Sequence, residues 1–235
     1  MRLTKVTFTG VDERTDVKRL SRLQRKYPFA EFGVLLSYDW AENGNRFPDP
    51  KILASLNRLG LNLSAHFCGQ AAQDLACGKR FKADNLLGRH IRIFHRCQLN
   101  LKAEGVFSYL RKLPPMAYID EVIVQMRTPE LCEQFLQGER PRFMSYLLDA
   151  SGGTGMDTPI KIVTSPDTHI GYAGGIGPEN VEEKLRFLLK HKSEERFWID
   201  METRVRTKDE WLDLDKVEQV LEICDKLIRK YNGSN

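Results

Sequence analysis

The chain has 235 residues, 41% of them hydrophobic and 29% charged, with a formal net charge of +4 at pH 7. That mixture is expected of a soluble globular protein, and the length fits one large domain or two small ones, with single α/β barrels close to this size. The basic surplus is mild, and the one short basic run, Gly78-Lys79-Arg80-Phe81-Lys82, reads as a solvated loop, so nucleic acid is not an expected partner.

The apolar run at 5–11 predicts a first strand, followed by a helix at 15–27 with Val17, Leu20 and Leu23 at helical spacing. A second strand at 32–37 leads into the longest polar loop, 37–50, and a helix at 50–59 carrying Ile52, Leu53 and Leu56. Strands at 61–68, 91–101 and 121–126 come next. Thr128 is placed to cap, and Pro129 to open, a helix at 130–136. Strands six and seven are expected at 143–149 and 169–173. A helix follows at 178–190 with Val181, Leu185, Leu188 and Leu189 on one face. The eighth strand, 197–202, precedes a helix at 214–231, with Asp213 or Asp215 at its start.

Continuous apolar character, rather than strict alternation, suits parallel strands covered by helices. Strand followed by helix, repeated eight times without a linker or repeat, predicts a single-domain (β/α)8 TIM barrel over 1–235. A doubly wound open sheet is the competing architecture, but its glycine fingerprint usually follows the first strand. No apolar run reaches membrane-spanning length and no signal-peptide pattern opens the sequence, so no membrane partner and a cytoplasmic location are expected. The five cysteines are odd in number and match no zinc or redox spacing. They read as small buried apolar groups, with no metal expected.

Two glycine-rich turns carry the strongest functional signal. Asp149-Ala150-Ser151-Gly152-Gly153-Thr154-Gly155 ends the sixth strand, and Ala173-Gly174-Gly175-Ile176-Gly177-Pro178 ends the seventh. Glycines there let bare amides approach an anion, and Pro178 fits the first turn of a helix whose positive end would face it. Late loops are where a barrel usually builds its phosphate site. Gly153, Gly174 and Gly175 are therefore candidate phosphate ligands. The expected partner is a small phosphorylated molecule, or inorganic phosphate or sulfate.

Asp149 ends an apolar strand, where an unpaired carboxylate is costly to bury; it is either catalytic or a cap of the next turn. His66 and Cys68 share a face of strand three. They make either a base, with histidine lowering the thiol pKa, or a satisfied histidine beside a packed cysteine. Asp200 and Glu202 share a face of strand eight as paired carboxylates, or else bridge to Arg204 or Arg206. Ser37, Asn100 and Gln125 fall near strand ends and suit a polyhydroxy substrate; Tyr38 and Trp40 either stack on a planar ring or anchor the long loop.

Several segments together resemble the phosphoribosylanthranilate isomerase family. They are Leu147-Leu148-Asp149 with the glycines after it, Ala173-Gly174-Gly175-Ile176 with Pro178-Glu179-Asn180-Val181, and Ile199-Asp200-Met201-Glu202-Thr203-Arg204-Val205 with Lys208-Asp209. The opening Val6-Thr7-Phe8-Thr9-Gly10-Val11 also fits. The match is good in the C-terminal third and partial over 5–50. The resemblance implies a barrel that performs an Amadori rearrangement of an N-linked phosphoribose by acid–base catalysis, with no cofactor or metal. It implies Asp149 as the acid and Arg46 as the grip on a distal carboxylate. The family's base is a cysteine ending strand one. Thr9 stands there in this chain, and a hydroxyl is a far weaker base than a thiolate. After strand eight the family has serines and a glycine that hold the phosphate, where this chain has Glu202-Thr203-Arg204, so the resemblance implies Thr203 and Arg204 as further phosphate ligands. Cys68, Glu202 and Asp200 remain candidates for the base, and Gln125, His66 and Asp200 for substrate contacts. Two other readings stand beside the isomerase: a phosphosugar-binding barrel without catalysis, and a barrel hydrolase or lyase using Asp200 and Glu202. A monomer and a homodimer are equally compatible with the sequence.

Overall fold

Strands whose every second side chain is apolar close on themselves here into an eight-stranded barrel. The computed structural model describes residues 3–42, 44–79, 85–101, 107–165, 167–192 and 195–232. Arg80, Phe81 and Lys82 of the short basic run lie outside the described residues. The strands are β1 Leu3–Thr9, β2 Ala30–Leu36, β3 Leu63–Cys68, β4 Arg96–Asn100, β5 Glu121–Met126, β6 Met144–Leu148, β7 Ile170–Tyr172 and β8 Phe197–Met201. All pair in parallel in chain order, and β8 returns to β1 with Val6 opposite Ile199 and Phe8 opposite Met201. The helices are α1 Val17–Lys26, α2 Ile52–Leu56, α3 Gly69–Ala76, α4 Phe107–Leu110, α5 Pro129–Leu136, α6 Val181–His191 and α7 Leu214–Asn232. The result is a (β/α)8 TIM barrel.

The helix starts follow from capping chemistry. The Asp16 side chain accepts from the amides of Lys18 and Arg19, and Thr128 from that of Leu131. Of the two candidates before α7, Asp213 is the cap, accepting from the amides of Asp215 and Lys216. Other boundaries shift. The expected strand at 91–101 is only Arg96–Asn100, because Gly88–Ile93 winds into a 3₁₀ helix from which Ile91 and Ile93 reach the core. The helix expected at 50–59 contracts to Ile52–Leu56. Pro178 does not open α6. Asn180 accepts from the Gly177 amide (2.9 Å) and donates to the Gly175 carbonyl (2.9 Å), so the chain turns once more before Val181. Helix α3 goes unpredicted because its buried face is mostly alanine: Ala71, Ala72 and Ala76 with Leu75.

The main apolar core lies between sheet and helices, where Phe8, Phe32, Val34, Leu99, Val122, Tyr146 and Ile199 are fully buried. The inner face differs. Thr7, Thr9, Glu31, Ser64, His66, Arg96, Gln98, Ser145 and Asp200 are all buried polar residues. The strands therefore alternate apolar and polar, contrary to the expectation of two-sided apolar runs. Ile123, Leu147 and Trp198 form a separate small apolar cluster.

Toward the N-terminal end of the barrel, Arg96 joins Glu31 (Nη1 to Oε1, 2.6 Å) and Glu121 (Nε to Oε2, 2.5 Å). Thr7 donates to Glu31 (2.9 Å), Ser145 donates to Glu121, and His169 lies 2.8 Å from Glu121 through Nδ1. Arg96 also stacks on Trp198, 4.4 Å from the ring centroid. Gly171 makes room for that ring, since a Cβ there would stand 2.1 Å from Trp198 Cε2. Burial acts to raise the Glu121 pKa, but the bonds from His169, Arg96 and Ser145 outweigh it and hold the carboxyl down at about 2. This layer is a buried ion network beneath the mouth, in which both carboxylates are multiply bonded and Arg96 Nη2 has no partner among the described residues.

Candidate active site

The C-terminal strand ends and the loops beyond them enclose a cavity of about 440 Å³. The catalytic, substrate-binding and phosphate-binding candidates from the sequence line it: Thr9, Arg46, His66, Cys68, Gln125, Asp149, Gly153, Gly174, Gly175, Asp200, Glu202, Thr203 and Arg204. Ser37 and Asn100 line it too.

Asp149, just past β6, is the most heavily bonded carboxyl of the mouth. Its Oδ1 accepts from the Ser151 amide (3.1 Å) and hydroxyl (2.6 Å). Its Oδ2 accepts from Gln125 Nε2 (2.6 Å) and the Gly153 amide (2.8 Å). Gln125 thus acts on the site through Asp149, and Gly153 donates to this carboxylate rather than standing free for an anion.

Asp200, on β8, has one donor. Thr9 gives its hydroxyl proton to Oδ1 at 3.1 Å, while Oδ2 has no partner among the described residues. Burial, with Glu202 and Glu31 nearby, raises the Asp200 pKa well above the usual carboxylate range despite the Thr9 bond and Arg96. Thr9 Oγ1 also lies 3.3 Å from His66 Nδ1, and His66 Nε2 lies 2.5 Å from Ser64 Oγ. Burial and the Arg96 charge push the His66 pKa down to about 3. Of the two readings of His66 and Cys68, the contacts match the satisfied histidine. The imidazole is neutral and engaged elsewhere, and the Cys68 sulfur meets Asn100 Nδ2 (3.2 Å) and the His66 carbonyl (3.8 Å).

Arg46 is not free to meet a ligand carboxylate as expected. It pairs with Glu202 (2.9 Å) and Glu210 (3.5 Å) and donates to Thr203 Oγ1 (3.0 Å). Glu202 pairs with Arg46 and, more loosely, Arg206 (3.8 Å), not with Arg204. Burial is the largest cause of its raised pKa, and the two arginines oppose it. Tyr38 donates to Asp74 on α3 (3.3 Å), the anchoring alternative, and Phe47 rather than Trp40 lines the cavity.

The Gly174–Gly175 turn is glycine for a packing reason. Gly174 has φ +111°, and a Cβ on it would stand 2.3 Å from Thr158 Oγ1; one on Gly175 would stand 2.4 Å from the Met156 carbonyl. The loop after β6 occupies that side. The amides of Gly174, Gly175 and Ile176 find no acceptor among the described residues, and all three residues line the cavity. Arg204 crosses the same rim, and among the described residues its partners are weak, the Gly155 carbonyl at 3.4 Å and Glu179 at 3.9 Å.

Sequence reasoning missed Gln98 and Arg127, which also line the cavity. Gln98 sits two residues before Asn100 and could have been found by alternation; Arg127, beyond β5, carried no motif signal. Among the described residues no cluster of three histidine, cysteine or carboxylate side chains is placed to hold a metal, and no helix is long and apolar enough to cross a membrane.

No family model matches the chain, and no curated protein matches it. Solved structures do. A phosphoribosyl anthranilate isomerase from Thermus thermophilus superposes with a TM-score of 0.60 at 16% identity, covering 95% of this chain and 99% of the other. A truncated 3-deoxy-D-arabino-heptulosonate 7-phosphate synthase from Thermotoga maritima gives 0.55 at 12% identity, over 96% and 87%. These likenesses establish the TIM-barrel fold.

Proposed function

We propose that this barrel is an acid–base enzyme of the isomerase type, acting on a small phosphorylated sugar derivative in the cavity at its mouth. The observation that carries the reading is the contrast between Asp149 and Asp200. Among the carboxyls that line the cavity, Asp149 is held by four donors and Asp200 by a single donor among the described residues, in a site that favours its acid form. Two carboxyls in hydrogen-bond environments that differ in this way can serve as a base and an acid in one site. The cavity, about 440 Å³, has the size for one small polar ligand. The unbonded amides of Gly174, Gly175 and Ile176, with Arg204 beside them, suit a phosphate. The resemblance in the glycine turns supports the same substrate class. Thr9 cannot serve as the base at the end of β1, because its hydroxyl is committed to Asp200 and His66.

Proton exchange of this kind uses only side chains of the chain itself. The test is conversion of phosphoribosylanthranilate, followed by chromatography. Wild-type turnover is expected to fall by about two to four orders of magnitude in Asp149→Asn. Thr9 also favours a second reading, a phosphosugar-binding barrel without catalysis; tight binding with no turnover of any phosphosugar would establish it. Activity retained in Asp149→Asn but lost in Glu202→Gln would instead indicate hydrolase or lyase chemistry on β8.

A further inference from the structure

We propose that Asp200, rather than Asp149, gives the proton in this cavity, passing it from Oδ2 to an oxygen of the bound sugar, with Thr9 and His66 as positioning residues. The assignment rests on the functional reading above and reverses the roles that the family resemblance implies.

A one-way string of hydrogen bonds carries it. The Thr9 hydroxyl has one proton, and Asp200 Oδ1 takes it at 3.1 Å. Its oxygen is then left to accept from His66 Nδ1 at 3.3 Å, and His66 Nε2 accepts from the Ser64 hydroxyl at 2.5 Å. The string reaches from β3 to β8 across β1 because β2 carries Gly33 between them. A Cβ there would stand 2.6 Å from Thr9 Oγ1 and 2.9 Å from His66 Nε2. Each proton in the string is used once, and none is left for Asp200 Oδ2. That oxygen is buried and without a partner among the described residues, while the side chain is 5% exposed and lines the cavity. A buried carboxyl in this state is satisfied when the free oxygen carries the proton and donates it outward. Asp149 is the opposite case, with donors on both oxygens.

The charges facing Asp200 agree. Glu31 on β2 and Glu202 beyond β8 disfavour a second anion, Arg96 on β4 only partly offsets them, and the neutral His66 on β3 supplies no counter-charge. Gln98 adds a buried acceptor, Oε1, without a partner among the described residues. A sugar hydroxyl, able to accept from Asp200 and donate to Gln98, fits the pair.

In the step itself the Asp200 O–H bond breaks and its electron pair stays on a carboxylate already held by Thr9; the proton forms a new O–H bond on the ring oxygen as that oxygen's bond to the N-bearing carbon breaks, and the nitrogen lone pair closes a C=N bond in its place. Asp149 takes the proton from the neighbouring carbon. The pair resets when the enol hydroxyl returns a proton to Asp200 and Asp149 passes its proton to the adjacent carbon. Protons and electrons balance without a redox partner.

The first test needs no substrate. An infrared difference spectrum of ligand-free wild type minus Asp200→Asn at pH 7 is expected to show the carbonyl stretch of a protonated carboxyl, shifted in D2O. Its absence overturns the proposal. The Thr9 bond favours the ionised form, so Thr9→Val is expected to move the disappearance of this band about one pH unit upward. A band that titrates unchanged removes Thr9 from its role. With phosphoribosylanthranilate, Asp200→Asn is expected to lower kcat at least about a hundredfold, to leave KM within about threefold and to abolish the alkaline limb of the pH profile. Asp200→Glu is expected to recover part of kcat. An unchanged kcat in Asp200→Asn overturns the proposal. If wild type does not turn this substrate over, the functional reading fails, while the infrared band still decides the state of Asp200.

Discussion

The barrel interior holds two layers of charged side chains that differ in how completely they are paired. In the lower layer Arg96 lies between Glu31 and Glu121, and each carboxylate has a further donor from Thr7, Ser145 or His169. In the mouth, among the described residues, Asp200 keeps one oxygen unbonded, Glu202 leans on two arginines, and Arg204 has only long contacts. The residue types are the same. What differs is the pairing of the carboxyls: Arg96 Nη2 has no partner among the described residues, but Glu31 and Glu121 each accept from at least two donors, whereas Asp200 accepts from one and keeps an oxygen open to the cavity, where it can respond to a ligand.

The sharpest way to break this comparison is Arg96→Met. It would leave Glu31 and Glu121 buried without their shared cation, at a cost of about 3–5 kcal/mol. For a chain of this length that is on the order of 10 °C in Tm, read by calorimetry. A variant as stable as wild type would mean that the lower layer is not structural.

Acid titration separates the layers next. His66 has a folded pKa near 3 against an ordinary 6.5, so below about pH 6.5 the unfolded chain binds a proton that the folded one refuses. Its contribution is fully present above that pH and is lost as pH falls toward 3. Glu121, held near 2 against 4.5, acts only lower down: its stabilisation is present above 4.5 and lost as pH falls toward 2. Asp200, raised, has the opposite sign and stabilises the fold only at low pH. The informative quantity is therefore the difference between wild type and His66→Gln in urea denaturation. Between pH 6.5 and 4.5 wild type is expected to lose about 1 kcal/mol per pH unit relative to the variant. A flat difference would mean that the imidazole is charged in the fold, and the string to Asp200 would fail with it.

Much of this arrangement was legible in the chain. The apolar residues of every strand, the cap at Thr128 and the two glycine turns are local signals, and they put the mouth where the structure has it. The polar inner face was not legible. Trp198 and Leu147 also point inward, so Phe197-Trp198-Ile199 and Tyr146-Leu147-Leu148 read as unbroken apolar runs. The pairing of Glu31 with Arg96 spans 65 positions, and nothing in a single sequence announces it. Thr9 looked like a lost base, because only its contacts show that it serves Asp200.

The glycine turns sharpen the point on a smaller scale. Gly174→Ala would drive a Cβ to within 2.3 Å of Thr158 Oγ1 at φ +111°, whereas at Gly153, φ +87°, a Cβ meets nothing within 4 Å. The first substitution is expected to cost about 2–3 kcal/mol in urea unfolding and the second about 1 kcal/mol. Equal costs would mean that the loop from 156 to 158 does not pack on the turn.

The smallest effect on stability belongs to Arg204, where the comparison meets function most directly. Its ion pair with Glu179 is long, at 3.9 Å, and about one third of its side chain is exposed, so Arg204→Lys is expected to change stability by less than about 0.5 kcal/mol. The same substitution keeps the charge but loses the planar fork that grips two phosphate oxygens, so the Kd for inorganic phosphate is expected to rise about tenfold by calorimetric titration. Arg127, beyond β5, also lines the cavity and serves as the control. Phosphate binding that survives Arg204→Lys but fails in Arg127→Lys would move the anion from the β7–β8 rim to the loop after β5. The unbonded amides of Gly174 and Gly175 would then need another explanation.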